Sequence, residues 1–320
     1  MSSRLRVILL AVLAVLVIGG LAIAHGRELT SHPIEPSRLG TASSSAELLK
    51  WIDVPGTLQV ETVNSTEWVV ARSGLINLDN PKAKAAGLVD GDEPIQIYFH
   101  AITHPTKGLY IVDTGVERAM RDAPDKAVLR GFLAEKALRL KEMKFHQPLG
   151  DWLAARGSKL EGVFFTHLHG DHISGMRDVP ADAQLYNGPG EARERNAMNL
   201  ATGPMTDDEF EGKAPLSEWG FTPDPTGRFV SVIDVFGDQQ LWAISVPGHT
   251  IGSTAYLART PSGPVLMTGD TCHTAWGWNN DVEPGTFTAD RARNADSLHR
   301  LKELVKEHPN ISVRLGHQTL

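Results

Sequence analysis

The feature that most constrains this chain is an uncharged run, Gly162-Val163-Phe164-Phe165-Thr166, that leads straight into His167-Leu168-His169-Gly170-Asp171-His172. Such a run reads as a buried strand, so the fold must end a water-avoiding strand on a knot of imidazoles and carboxylates. Side chains alternate along extended backbone. His167 and His169 therefore point the same way and can share one cation. Past Gly170, which permits a tight turn, Asp171 and His172 offer an oxygen and a nitrogen where a second cation can bind. Zinc accepts both ligand types, and a catalytic zinc keeps one position open.

The HxHxDH cluster cannot by itself complete two such shells, so more His and Asp residues are expected at the ends of later strands. Val246-Pro247-Gly248-His249-Thr250, Thr268-Gly269-Asp270-Thr271 and Leu315-Gly316-His317 each place one there. His100, His104, His146 and His308 fit no such placement and are expected to be structural. Cys272, the only cysteine, has no intramolecular disulfide partner and is expected to be a small buried residue.

Strand-like runs are expected at Leu58 to Val63, Trp68 to Ala71, Ile95 to Ile102 and Leu109 to Val112, then a helical block from about Lys126 to Lys144. After the cluster, strands are expected at Ala183 to Tyr186, Phe229 to Val235, Leu241 to Val246, Thr254 to Leu257, Val265 to Thr268 and Ile311 to Leu315. A helix over about Asp290 to Glu307 places Leu298, Leu301, Leu304 and Val305 on one face. The Pro- and Gly-rich stretch from Gly203 to Gly227, with Phe210, Trp219 and Phe221, is expected to be irregular, either a lid over the site or a surface excursion.

The N-terminus carries a different signal. Arg4 and Arg6 precede an apolar run from Val7 to Ile18, and Ala22-Ile23-Ala24 follows. Residues 1–24 thus suit a secretory signal peptide or, counted through Ala24, an N-terminal membrane anchor. Either way the domain is expected outside the cytoplasm, periplasmic or secreted, with membrane association where the anchor is kept. Residues 25–45, rich in Ser, Pro and Gly, are expected to be a flexible linker, and residues 46–320 the hydrolase domain. A net charge of -7 with no basic run excludes a broad nucleic-acid surface.

With these motifs in this order, the chain from about Val54 to His317 resembles the metallo-β-lactamase superfamily, and most closely its lactonase branch. The resemblance implies an α/β fold, a four-layer αββα sandwich, with two divalent metal ions, zinc by preference. His167, His169 and His249 would hold the first ion, Asp171, His172 and His317 the second, and Asp270 would bridge them. Asp113, in Tyr110-Ile111-Val112-Asp113-Thr114-Gly115, resembles the early family Asp that supports the site from behind. The implied reaction is hydrolysis of a small-molecule lactone-like ester by a bridging hydroxide. Asp270 and Asp171 would be catalytic, the latter as a proton shuttle.

Lactonases of that branch carry a Tyr shortly after the strand that follows the cluster, and the corresponding place here holds Glu191. Together with His273, Trp276 and Trp278 after the bridging Asp, Glu191 is assigned to the substrate pocket. Exported β-lactamase-like or phosphotriesterase-like hydrolysis is the alternative within the superfamily. A metal-stabilised exported binding module is the alternative outside enzymes, although structural zinc sites are usually closed and rich in Cys.

Overall fold

The computed structural model describes residues 26–320, so the export segment expected at 1–24 lies outside the described residues. Among the described residues no helix is long and apolar enough to cross a membrane. In chain order the strands are β1 (Arg27–Glu28), β2 (Ile34–Pro36), β3 (Thr41–Ser43), β4 (Gln59–Ala71), β5 (Asp92–His104) and β6 (Gly108–Val112). They continue as β7 (Lys144–Phe145), β8 (Leu160–Phe164), β9 (Gln184–Asn187), β10 (Arg195–Asn196) and β11 (Leu216–Glu218). The last are β12 (Val232–Asp234), β13 (Leu241–Ser245), β14 (Thr254–Thr260), β15 (Gly263–Met267) and β16 (Ser312–Arg314).

An eight-stranded sheet has the order β2-β11-β9-β8-β6-β5-β4-β7, and a six-stranded sheet the order β16-β15-β14-β13-β12-β3. Alternation explains why the sheets stack. On β13, Leu241 and Ala243 join Phe164 of β8 in the core between the sheets, while Trp242 and Ile244 face outward with Leu298, Leu301 and Leu304. Period-two apolar residues on both faces bury a strand on both sides. The outer face of the eight-stranded sheet is covered by Leu149–Arg156 and by Asn199–Phe210, through Leu149, Trp152 and Phe210. Ser45–Trp51 and Arg291–Glu307 cover the other sheet. This is the four-layer αββα sandwich. The closing helix starts where expected because the Asp290 side chain accepts from the Arg293 amide, a strong N-cap.

Several expectations fail in instructive ways. The stretch 26–45 is not a linker: β1, β2 and β3 each add an edge strand, one to each of the three sheets, counting the small β1-β10 pair. Edge pairing uses backbone groups, so it needs no apolar periodicity and left none. The runs at Leu58 to Val63 and Trp68 to Ala71 are one strand, β4, whose register shifts between Asn64 and Thr66. The block at 126–144 holds only the short helix Phe132–Ala137, a turn at Leu140–Glu142 and β7. Positive φ at Gly131 and Arg139 divides it. Finally, Gly203 to Gly227 is neither lid nor excursion. Its start lies in the Asn199–Phe210 helix, β11 pairs with β2 and β9, and Phe210 and Trp219 are core residues.

That same helix carries an uncompensated group. Glu209 is buried and its Oε2 has no hydrogen-bond partner. Burial, reinforced by Glu117, holds its carboxyl well above the usual range. A raised carboxyl favours folding below its unfolded pKa and loses that contribution as pH rises through the folded value. Glu209→Gln is therefore expected to raise the melting temperature at pH 8 by about 1–2 °C per kcal/mol gained in a chain of this size, with less effect at pH 5. Equal melting of the two proteins at both pH values would refute this.

Candidate metal centre

Most residues of the centre lie just past the ends of strands. β6 leads to Asp113, β8 to His167 and His169, β13 to His249, β15 to Asp270 and β16 to His317. The one-turn helix Gly170–Ile173 carries Asp171 and His172. A Cβ at Gly316 would overlap Asp270 Oδ1, so only glycine lets the last strand deliver His317 alongside the bridging carboxylate.

Among the described residues the side chains converge as the two expected groups and a third, overlapping one made of His249, Asp270 and His273. His249 Nε2 lies 3.1 Å from His167 Nε2 and 2.9 Å from His169 Nδ1. Asp171, His172, Asp270 and His317 form the second group. His317 Nε2 is 3.2 Å from Asp171 Oδ2 and 3.3 Å from Asp270 Oδ2, and His172 Nε2 is 3.3 Å from Asp270 Oδ1. Asp270 Oδ2 is also 3.5 Å from His249 Nε2 and 3.7 Å from His167 Nε2. One carboxylate thus stands between both sets.

The far sides of the rings show what the near sides are for. His317 Nδ1 pairs with the Gln96 carbonyl at 2.9 Å and His172 Nδ1 with Asp113 Oδ2 at 2.8 Å. A proton held on Nδ1 leaves the Nε2 lone pair aimed inward, the orientation of a metal-binding His. Asp113 also accepts from the Thr166 amide and hydroxyl, each at 2.8 Å. It therefore lies behind His172, on the side of the ring away from Asp270. Thr288 does the same for His249 at 3.2 Å.

Charge tells the same story. Burial and neighbouring imidazoles hold His167 and His249 well below the usual His range. Burial would also lower His317, yet Asp270 and Asp171 push it up to about 10. His172 is likewise raised by Asp270 and Asp113 against its burial. Buried Asp270 Oδ1 and His172 Nε2 have no hydrogen-bond partner, which is costly unless something else satisfies them. The first group offers neutral lone pairs and the second two carboxylates, so the donors fit divalent cations.

The pocket residues fare differently. Glu191 is completely buried and lines no substrate pocket: its oxygens accept from the Leu168 and Gly252 amides, both at 2.9 Å. Burial pushes its carboxyl up to about 7, opposed by hydrogen bonds from Thr250 and these amides. Trp278 is buried in the outer core and Trp276 packs against Leu75 and Val282. Neither belongs to the cluster. His273 sits closer to the chemistry than expected, with Nδ1 3.2 Å from the Leu75 carbonyl and Nε2 2.9 Å from Asp270 Oδ2. The four histidines expected to be structural pair locally, His100 with Thr62, His104 with Asp238, His146 with Glu67 and His308 with Asp53. Cys272 is buried among outer-core residues.

Sequence reasoning missed Thr166, Thr288 and the carbonyls of Gln96 and Leu75. A Thr adjoining the cluster is a faint signal. A backbone carbonyl gives none.

A family model described as the metallo-beta-lactamase superfamily matches residues 93–317. The chain is 28% identical over 235 residues to the N-acyl homoserine lactonase AttM of Azorhizobium caulinodans, spanning 71% of this chain and 83% of that protein. With AttM of Agrobacterium fabrum it shares 27% over 238 residues, again 71% and 83% of the two chains. A solved quorum-quenching N-acyl homoserine lactone lactonase superposes with a TM-score of 0.55 at 18% identity, covering 82% of this chain and 94% of that one. AidC, a dizinc quorum-quenching lactonase, gives 0.51 at 14%, with 88% and 92% covered. The two superpositions bear on the fold, and the family match on the centre that it carries. The chain is a metal-dependent hydrolase belonging to the metallo-beta-lactamase superfamily.

Proposed function

We propose that the protein is a dinuclear hydrolase that opens a lactone-like ester, or a related carbonyl substrate, of a small molecule. The observation that carries this reading is Asp270, whose single carboxylate lies within 3.7 Å of imidazole nitrogens from both groups. His167, His169 and His249 would hold one divalent ion and Asp171, His172 and His317 the other; bound there, the ions would supply an activated water and polarise a carbonyl oxygen.

The chain's own residues define the approach. Among the ligand residues His169 and Asp171 are only partly buried while the others are buried, so the site opens on their side. The Asp171 side chain is 23% exposed. Its carboxylate is therefore the ligand placed to take the proton released by the attacking water and pass it to the leaving alkoxide. The AttM relatives, similar over 71% of the chain, support lactones as the substrate class. Arg4, Arg6 and the apolar run after them support an exported domain, periplasmic or secreted, or one anchored by residues 7–24.

The test is metal analysis of the purified protein with a panel of lactones, β-lactams, thioesters and phosphotriesters. Close to two ions per chain and selective lactone turnover, lost on chelation and restored by Zn2+, are expected. Full turnover after complete metal removal would sink the metal-dependent mechanism. Turnover of β-lactams or phosphotriesters with none of lactones would sink the substrate class.

A further inference from the structure

We propose that Glu191 is a positioning residue for the first cation: its carboxylate clamps together the two loops that carry His167, His169 and His249. The inference rests on the metal-centre reading above but concerns a residue outside the ligand set.

The two amides that it binds are well placed for this role. Leu168 lies between His167 and His169, and its amide donates to Glu191 Oε1 at 2.9 Å. Gly252 lies in the turn after His249, and its amide donates to Oε2 at 2.9 Å. A carboxylate is rigid and planar, so the separation of its oxygens fixes that of the amides. Through them it fixes how closely His249 approaches His167 and His169, the 3.1 and 2.9 Å contacts described above.

The surrounding backbone is built for the clamp. A Cβ at Gly188 would overlap the Gly252 carbonyl oxygen, and one at Gly252 would lie 2.7 Å from Glu191 Cβ and 2.8 Å from its Oε2. Gly188 and Glu191 come from the turn after β9, and Gly252 from the turn after His249. Two glycines in contact let these turns close until one side chain reaches both amides. Gln184–Asn187 and Leu241–Ser245 belong to different sheets, so the clamp also ties the sheets together at the catalytic rim. A buried carboxylate is costly when its oxygens are not hydrogen-bonded. Here each oxygen takes an amide, and Glu191→Gln would set an NH2 group against one of them.

The experiment uses the full chain and the Glu191→Gln variant, with Zn2+ affinity measured by competition with a chromophoric chelator and the visible spectrum of the Co2+-loaded protein. One of the two ions is expected to bind about 10–100-fold more weakly, the range for partners that orient metal ligands from behind. The Co2+ bands should shift. Leu301→Ala, buried in the outer core, is the control for stability alone and should lower the melting temperature without changing affinity or spectrum. Unchanged affinity and spectrum in Glu191→Gln overturn the proposal. Should that variant not fold, Glu191→Asp, one methylene too short to span both amides, is judged by the same two readouts. Wild-type protein that binds no metal refutes the dinuclear reading itself, whereas two tight ions in both wild type and variant refute only the clamp.

Discussion

Asp270→Ala is expected to fold and to lose at least about three orders of magnitude in kcat/KM, corresponding to roughly 4 kcal/mol of transition-state stabilisation. The size follows from geometry. Asp270 is the carboxylate that reaches both groups, with Oδ1 3.3 Å from His172 Nε2 and Oδ2 3.5 Å from His249 Nε2. In the dinuclear centre proposed above, removing it would take a ligand from each cation at once, and the Lewis-acid contribution at stake is several kcal/mol. Bound metal should fall from two ions per chain to one or fewer. The fold should survive, because the β15 ladder to β14 and β16 ends at Met267, before Asp270. Metal content, circular dichroism and turnover of the same sample decide the matter. A variant with wild-type turnover would show that the reaction does not pass through this carboxylate, and metal-dependent folding without turnover in the wild type would favour a binding module.

A chain that begins at Ser44 is expected not to give a soluble, cooperatively melting protein, although every ligand residue is retained. The truncation strips β1, β2 and β3 and leaves unpaired edges on β10, β11 and β12. It also removes buried Leu29 and Thr30, the Thr30 hydroxyl bond to Asp207 and the Arg27–Asp207 ion pair. At a net value of about 1 kcal/mol per hydrogen bond, losing the paired backbone of these strands approaches the 5–15 kcal/mol by which folded domains are stable. Open strand edges invite aggregation besides. A truncated protein melting within a few degrees of one that begins at Gly26 would refute the expectation.

These two cases show why one part of the molecule was legible in the sequence and another was not. His167, His169, Asp171, His172, His249, Asp270 and His317 were readable because each follows an apolar strand with turn chemistry around it. Side-chain identity carried both the structure and the chemistry there. The strands of both sheets were readable as apolar runs, whereas their stacking in layers came from the family resemblance alone. The segment 26–45 was opaque because Ile34-Glu35-Pro36 and Thr41-Ala42-Ser43 pair through backbone and have no apolar face to betray them. Glu191 was misplaced because it stands where the resembled lactonases carry a Tyr, which suggested a role toward substrate, whereas its partners are amides. His273 was placed near the site, but its contact with Asp270 depends on a turn whose geometry no local pattern reveals.

The edge strands near the N-terminus carry a last consequence, one that concerns time. Thr41 pairs with Asp234 and Ile34 with Leu216, so residues made early must wait for partners made late. Contacts this distant in sequence slow folding, and until β10, β11 and β12 emerge, β1, β2 and β3 have nothing to close upon. A nascent chain of this design completes its sheet edges late, after the strands that lie between them have been made.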